Sequence, residues 1–91
     1  MLVLPPKITH DQAAAALQRL LQGMADLRAP QVVVDATALA VFDSSALAVL
    51  LECRREALRR QQSFAVQGLH PRLVALAGLY GVAALLPAAA A

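Results

Sequence analysis

Val32-Val33-Val34-Asp35-Ala36-Thr37-Ala38-Leu39-Ala40-Val41-Phe42-Asp43-Ser44-Ser45-Ala46-Leu47 reads as a strand, a short crossing loop and the start of an apolar helix. The valine run is β-branched and uninterrupted, as expected of a strand covered on both faces. Asp43, Ser44 and Ser45 offer three capping side chains where helical spacing begins. Their hydroxyls stand at a helix N-terminus, where unpaired N–H groups and the helix dipole meet solvent. Such a place suits recognition or modification.

Upstream of this stretch, Leu2-Val3-Leu4 reads as a short strand that Pro5 and Pro6 end or confine to a sheet edge. Thr9 and Gln12 fit a capping box. The helix that follows is expected to bury Leu17, Leu20, Leu21, Met24 and Leu27, with Gln18, Arg19, Gln22 and Asp26 opposite. Downstream, the helix from Ser44 to about Gln61 carries a core stripe of Leu47, Leu50, Leu51 and Leu58. Its first two turns are apolar nearly all round, since Ala46, Ala48 and Val49 join the leucines and no charge appears before Glu52. A helix apolar on every side is covered on every side, so its outward face should meet a partner.

Ser63–Gln67 reads as a further strand ended by Gly68. His70-Pro71 opens a third helix, with proline at the favoured first position. Leu73, Leu76, Ala77 and Tyr80 are its expected packing residues, and Gly81 its stop. Val82–Pro87 closes the domain. The alternation of strands and helices builds a mostly parallel sheet with helices packed mainly on one face. The fold class expected is α/β, one domain over residues 1–91 with 87–91 a disordered tail.

Composition narrows the function. The chain has 91 residues, 59% hydrophobic and only 15% charged, a low charge content for a small surface and a sign of association. A net charge of +2 argues against nucleic acid. Arg54, Arg55, Arg59 and Arg60 cluster, but Glu52 and Glu56 sit among them at helical spacing, and the cluster reads as a solvated helix face. One cysteine leaves no internal disulfide and no cysteine-based zinc site. Cys53 falls on the apolar side of its helix and reads as a small core residue.

No charge occurs from Leu73 to Ala91. The glycines and proline within that run favour a core helix and an apolar tail over a bilayer span. The N-terminus lacks the basic and apolar regions of a signal peptide, so a cytoplasmic protein without direct membrane insertion is expected. Neither G-x-S-x-G, a phosphate loop, a dinucleotide fingerprint nor a metal-ligand spacing occurs. His10 and His70 read as structural or solvated. No catalytic residue, metal or cofactor is expected.

The strand ending in Asp35, the loop, and Asp43-Ser44-Ser45-Ala46-Leu47 resemble the STAS domain family of anti-sigma-factor antagonists, whose hallmark is Asp-Ser-Ser-Gly-Leu. Phe64–Leu69, Leu76–Val82 and Leu85-Leu86-Pro87 resemble the MlaB-like subgroup, the STAS subunits of Mla-type phospholipid-transport ABC complexes. The resemblance covers Leu2–Pro87 and implies a small STAS fold whose N-terminal strand is short or missing. It further implies a non-enzymatic cytoplasmic subunit, peripheral to the inner membrane, that contacts the ABC ATPase subunit. The contact would run through Asp43, Ser44, Ser45, Ala46, Ala48, Val49 and Glu52, with the complex maintaining outer-membrane lipid asymmetry. The alternative it implies is a partner-switching antagonist phosphorylated at Ser45, or at Ser44. Ala46 stands where the family has glycine, which raises helix propensity by roughly 1 kcal/mol and adds a methyl where a partner or phosphate would approach. A reduced first strand leaves a sheet edge open, and an edge-to-edge homodimer of the isolated chain is a further expectation.

Overall fold

The computed structural model describes residues 2–89. In chain order the elements are β1 (Leu2–Val3), β2 (Lys7–Ile8), α1 (His10–Ala25), β3 (Gln31–Asp35), β4 (Val41–Phe42), α2 (Ser44–Arg59), β5 (Ser63–Gln67), α3 (Pro71–Leu79) and a 3-10 turn at Ala83–Leu85. One sheet has the order β1-β3-β5, and β2 pairs with β4 in a second. Every ladder is parallel, with Leu2 opposite Val34, Val32 opposite Phe64 and Lys7 opposite Val41. This is the α/β architecture expected, with a short N-terminal strand at the edge.

The valine run sends Val32 and Val34 into the core, while Val33 is only half-buried. The strand is therefore well covered on one face rather than both. In β5, by contrast, Phe64, Ala65 and Val66 are all buried. The main core cluster joins these strands to Ala16, Leu20 and Met24 of α1 and to Ala46, Leu47, Val49, Leu50, Cys53 and Ala57 of α2. Leu17, Leu21 and Leu27 pack at its margin. Two residues expected inside are outside: Leu58 is 49% exposed and Tyr80 58%. Leu58 lies on the flank of α2 beyond the buried stripe, and Tyr80 is already the C-cap of α3.

β2 and β4 are too short to carry a sequence period. They matter nonetheless, because each runs directly into a helix. The expected tail also has structure. Val66 N–H donates to the Pro87 carbonyl (2.9 Å) and Ala89 N–H to the Val66 carbonyl (2.9 Å), so Ala88 bridges the outer edge of β5. Backbone pairing holds 87–89 against the sheet, contrary to the expectation of disorder; the last two residues of that expected tail lie outside the described residues.

The helix ends follow local rules. At α1, Thr9 N–H donates to Gln12 Oε1 at 3.0 Å, the backward-reaching bond of the expected capping box, and the Thr9 hydroxyl donates to the same oxygen at 2.6 Å. α2 ends at Arg59, short of the expected Gln61. Gln62 N–H reaches back to the Ala57 carbonyl and Gln61 N–H to that of Leu58, a Schellman closure with Gln61 at φ 62°. α3 closes in the same way around Gly81 at φ 73°, with Val82 N–H on the Ala77 carbonyl. Gly68, at φ 69°, ends β5; a Cβ there would collide with the Thr37 hydroxyl and lie 3.3 Å from Thr37 Cα.

Arg60 departs from the solvated arginine face expected of its cluster. Its guanidinium donates to the carbonyls of Met24, Ala25 and Leu27. Gln62 Nε2 adds bonds to those of Leu27 and Ala29, at 3.2 and 2.9 Å. α1 has no basic residue in its last turn, so a cation from the end of α2 satisfies its orphan carbonyls and complements its dipole. Arg59 does lie on the solvated face, paired bidentately with Glu56 at 2.7–2.9 Å.

Two sets of urea-unfolding measurements test these ends. Gly81→Ala should cost about 1 kcal/mol from the left-handed backbone alone, and Gly68→Ala clearly more, while Gln61→Gly should gain up to about 1 kcal/mol. A Gly68→Ala variant no less stable than Gly81→Ala would contradict the Thr37 contact. Arg60→Ala should lower stability by about 1–2 kcal/mol and speed amide exchange in the last turn of α1, and Arg60→Lys should recover part of both.

Candidate functional site

Parallel pairing of β2 with β4 sets the starts of α1 and α2 side by side. Ala40 and Val41 N–H both donate to the Pro6 carbonyl, at 2.9 and 3.0 Å, and Asp43 N–H to that of Ile8. Asp43, the residue after β4, then caps two helices with one carboxylate. Oδ1 accepts from Ser45 N–H at 2.8 Å and Oδ2 from His10 N–H at 3.0 Å. The Ser45 bond, reinforced by that of His10, holds this carboxyl below the usual carboxylate range.

The third helix starts at the same end. His70 Nδ1 accepts from Arg72 N–H at 3.0 Å and caps α3. Its ring meets Phe42 edge-on, with centroids 5.2 Å apart. Asp35, at the end of β3, folds its loop by accepting Thr37 N–H at 2.9 Å; the Thr37 hydroxyl and N–H hold its carboxyl low. Three helix N-termini thus gather beside β4, all capped by side chains.

Of the expected contact residues, Asp43, Ser44, Ala48 and Glu52 are exposed and Ser45 is half-buried. Ser44, Ala48, Glu52 and Arg55 follow one another along one face of α2. Ala46 and Val49 do not belong to that surface. Ala46 is fully buried and Val49 nearly so, because both point from α2 into the domain's own core. The Ala46 methyl therefore adds to internal packing and does not stand in a partner's path. The Glu52–Arg55 pair at 3.8 Å is solvated on both sides and contributes little to stability.

The outward face of α2 is thus narrower and less apolar than its composition implies. Larger apolar groups are exposed elsewhere: Val74, Leu79, Tyr80 and Leu85 on α3 and the turn after it. The uncharged run beginning at Leu73 was the signal for this surface. α3 buries only Leu73 and Ala77 from that run, so it is not the core helix expected there.

Neither histidine is hydrogen-bonded to Ser44 or Ser45 among the described residues; His10 uses its backbone N–H and His70 uses Nδ1, each at a cap. Cys53 is buried, and desolvation, with the Glu52 charge second, pushes its thiol up to about 12, leaving a protonated, unreactive group at neutral pH. Among the described residues no group of three or more His, Cys, Asp or Glu is placed to hold a metal ion. No helix among them is long and apolar enough to cross a membrane. What this end of the molecule offers is a shaped surface of hydroxyls and small apolar side chains on rigidly capped helices.

No curated protein matches the chain. A family model does, the one described as the MlaB STAS domain, and its match spans residues 1–87. That span includes every strand and helix named above and the capped end built around Asp43, and the chain belongs to the MlaB-type STAS domain family.

Proposed function

We propose that this chain is a non-catalytic subunit that docks on the ATPase of an Mla-type phospholipid-transport ABC complex. It would support the assembly and activity of that complex at the cytoplasmic face of the inner membrane, and so outer-membrane lipid asymmetry. The observation that carries the reading is the exposed Ser44–Ala48–Glu52 face of α2, held rigid by Asp43. The side chains at its N-terminal end are small. A partner helix or loop can approach them closely without displacing long flexible groups, which limits the side-chain entropy lost on association.

The second reading is a switch controlled by phosphate on Ser45. Ser45 is half-buried and its N–H is already committed to Asp43. A phosphate there would set nearly two further negative charges beside that carboxylate. The exposed hydroxyl is that of Ser44. At Ser45 the partial burial and the neighbouring carboxylate favour lasting packing over reversible modification.

Co-purification with the ATPase subunit of an Mla-type complex from the same cells tests the proposal. Ser44→Asp and Ala48→Arg should each weaken the complex at least ~10-fold, the cost of misplacing one charge in a desolvated contact. An acidic residue in the first turn is favourable to a helix, so loss of binding in Ser44→Asp with unchanged stability would report the interface. Wild-type binding by both variants would exclude this face.

A further inference from the structure

A groove of about 590 Å³ runs between the segment Val3–Lys7 and α1. Leu4, Ala16 and Leu20 form its buried floor, and Lys7 and Arg19 stand at its rim. Neither cation has an ion-pair partner among the described residues, where the pairs are Arg55–Glu52 and Arg59–Glu56. The size, apolar lining and few convergent polar groups are those of a small-molecule site. It lies on α1 and the β1 edge, and no residue of α2 lines it.

The groove borders the free edge of β1, so an added strand is the competing occupant. The edge is poorly equipped for one. Leu4 N–H is spent on the Asp35 carbonyl, so by alternation Val3 and Pro5 face outward, and Pro5 has no N–H to give. A second copy would also bring its own Lys7 and Arg19 to an already basic rim. An apolar floor beneath two unpaired cations favours an anion with an apolar tail.

We propose that this groove binds a free single-chain anionic amphiphile, its acyl chain over Leu4, Ala16 and Leu20 and its carboxylate or phosphate head between Lys7 and Arg19. Titration of the full chain with dodecanoate and dodecyl phosphate, both below their micelle concentrations, tests this by calorimetry and amide chemical shifts. Saturable 1:1 binding of both is expected, with shifts centred on Leu4, Ala15, Ala16 and Leu20. Octanoate should bind at least ~10-fold more weakly than dodecanoate, from the lost methylene burial. Ala15→Trp, an exposed wall position, should block binding, and Lys7→Glu with Arg19→Glu should weaken it at least ~10-fold while leaving ATPase co-purification intact. Equal binding of dodecanol would overturn the role of the cations. Binding of anionic phospholipid vesicles without binding of dodecanoate would assign the groove to a membrane surface instead. Concentration-dependent dimerisation that shields Val3, with no response to either ligand, would assign it to a second copy of the chain.

Discussion

One carboxylate organises the working end of this domain. Asp43 accepts the first free N–H of α1 and the Ser45 N–H of α2, so two helices share a single cap. The arrangement exists because β2 and β4, two residues each, run parallel and release their helices in the same direction. Either helix alone would present orphan donors to solvent. Together they converge on a charge whose negative sign suits both dipoles. Phe42, one residue earlier, receives the ring of the third cap, His70. The surface residues of α2 inherit their positions from this cluster.

Much of the local punctuation was legible in the sequence, because it rests on side chains within a few residues of their targets. Thr9 and Gln12, Asp43 before Ser44, His70-Pro71 and Gly81 all mark the boundaries they were expected to mark. The misses share a different cause. Arg60 looked like its solvated neighbours, yet the carbonyls it serves belong to α1, and no local pattern records a partner so far away. β2 and β4 fell below the length at which alternation can be read. Leu58 and Tyr80 keep to a helical period, but period alone does not say where the covered arc ends.

At the site the division is the same. Asp43, Ser44, Ala48 and Glu52 reach the surface, whereas Ala46 and Val49 turn inward. In a helix apolar nearly all round, composition cannot distinguish the side that meets the domain's own sheet from the side left for a partner. The core claims the bulky arc here and leaves α2 a narrow outward stripe. It falls to α3 to expose the larger apolar groups, an outcome the uncharged C-terminal run permitted but did not specify.

The all-parallel pairing carries a consequence for how the chain is made. Among the described residues each strand finds its partner only after an intervening helix, with no hairpin to offer an early local contact. During synthesis β1 must wait for β3, and β3 for β5. The outer edge of β5 is capped only when Pro87 and Ala89 arrive. Until then the nascent chain exposes strands with no mate, so the period of greatest vulnerability to misassociation lasts until those residues emerge and pair.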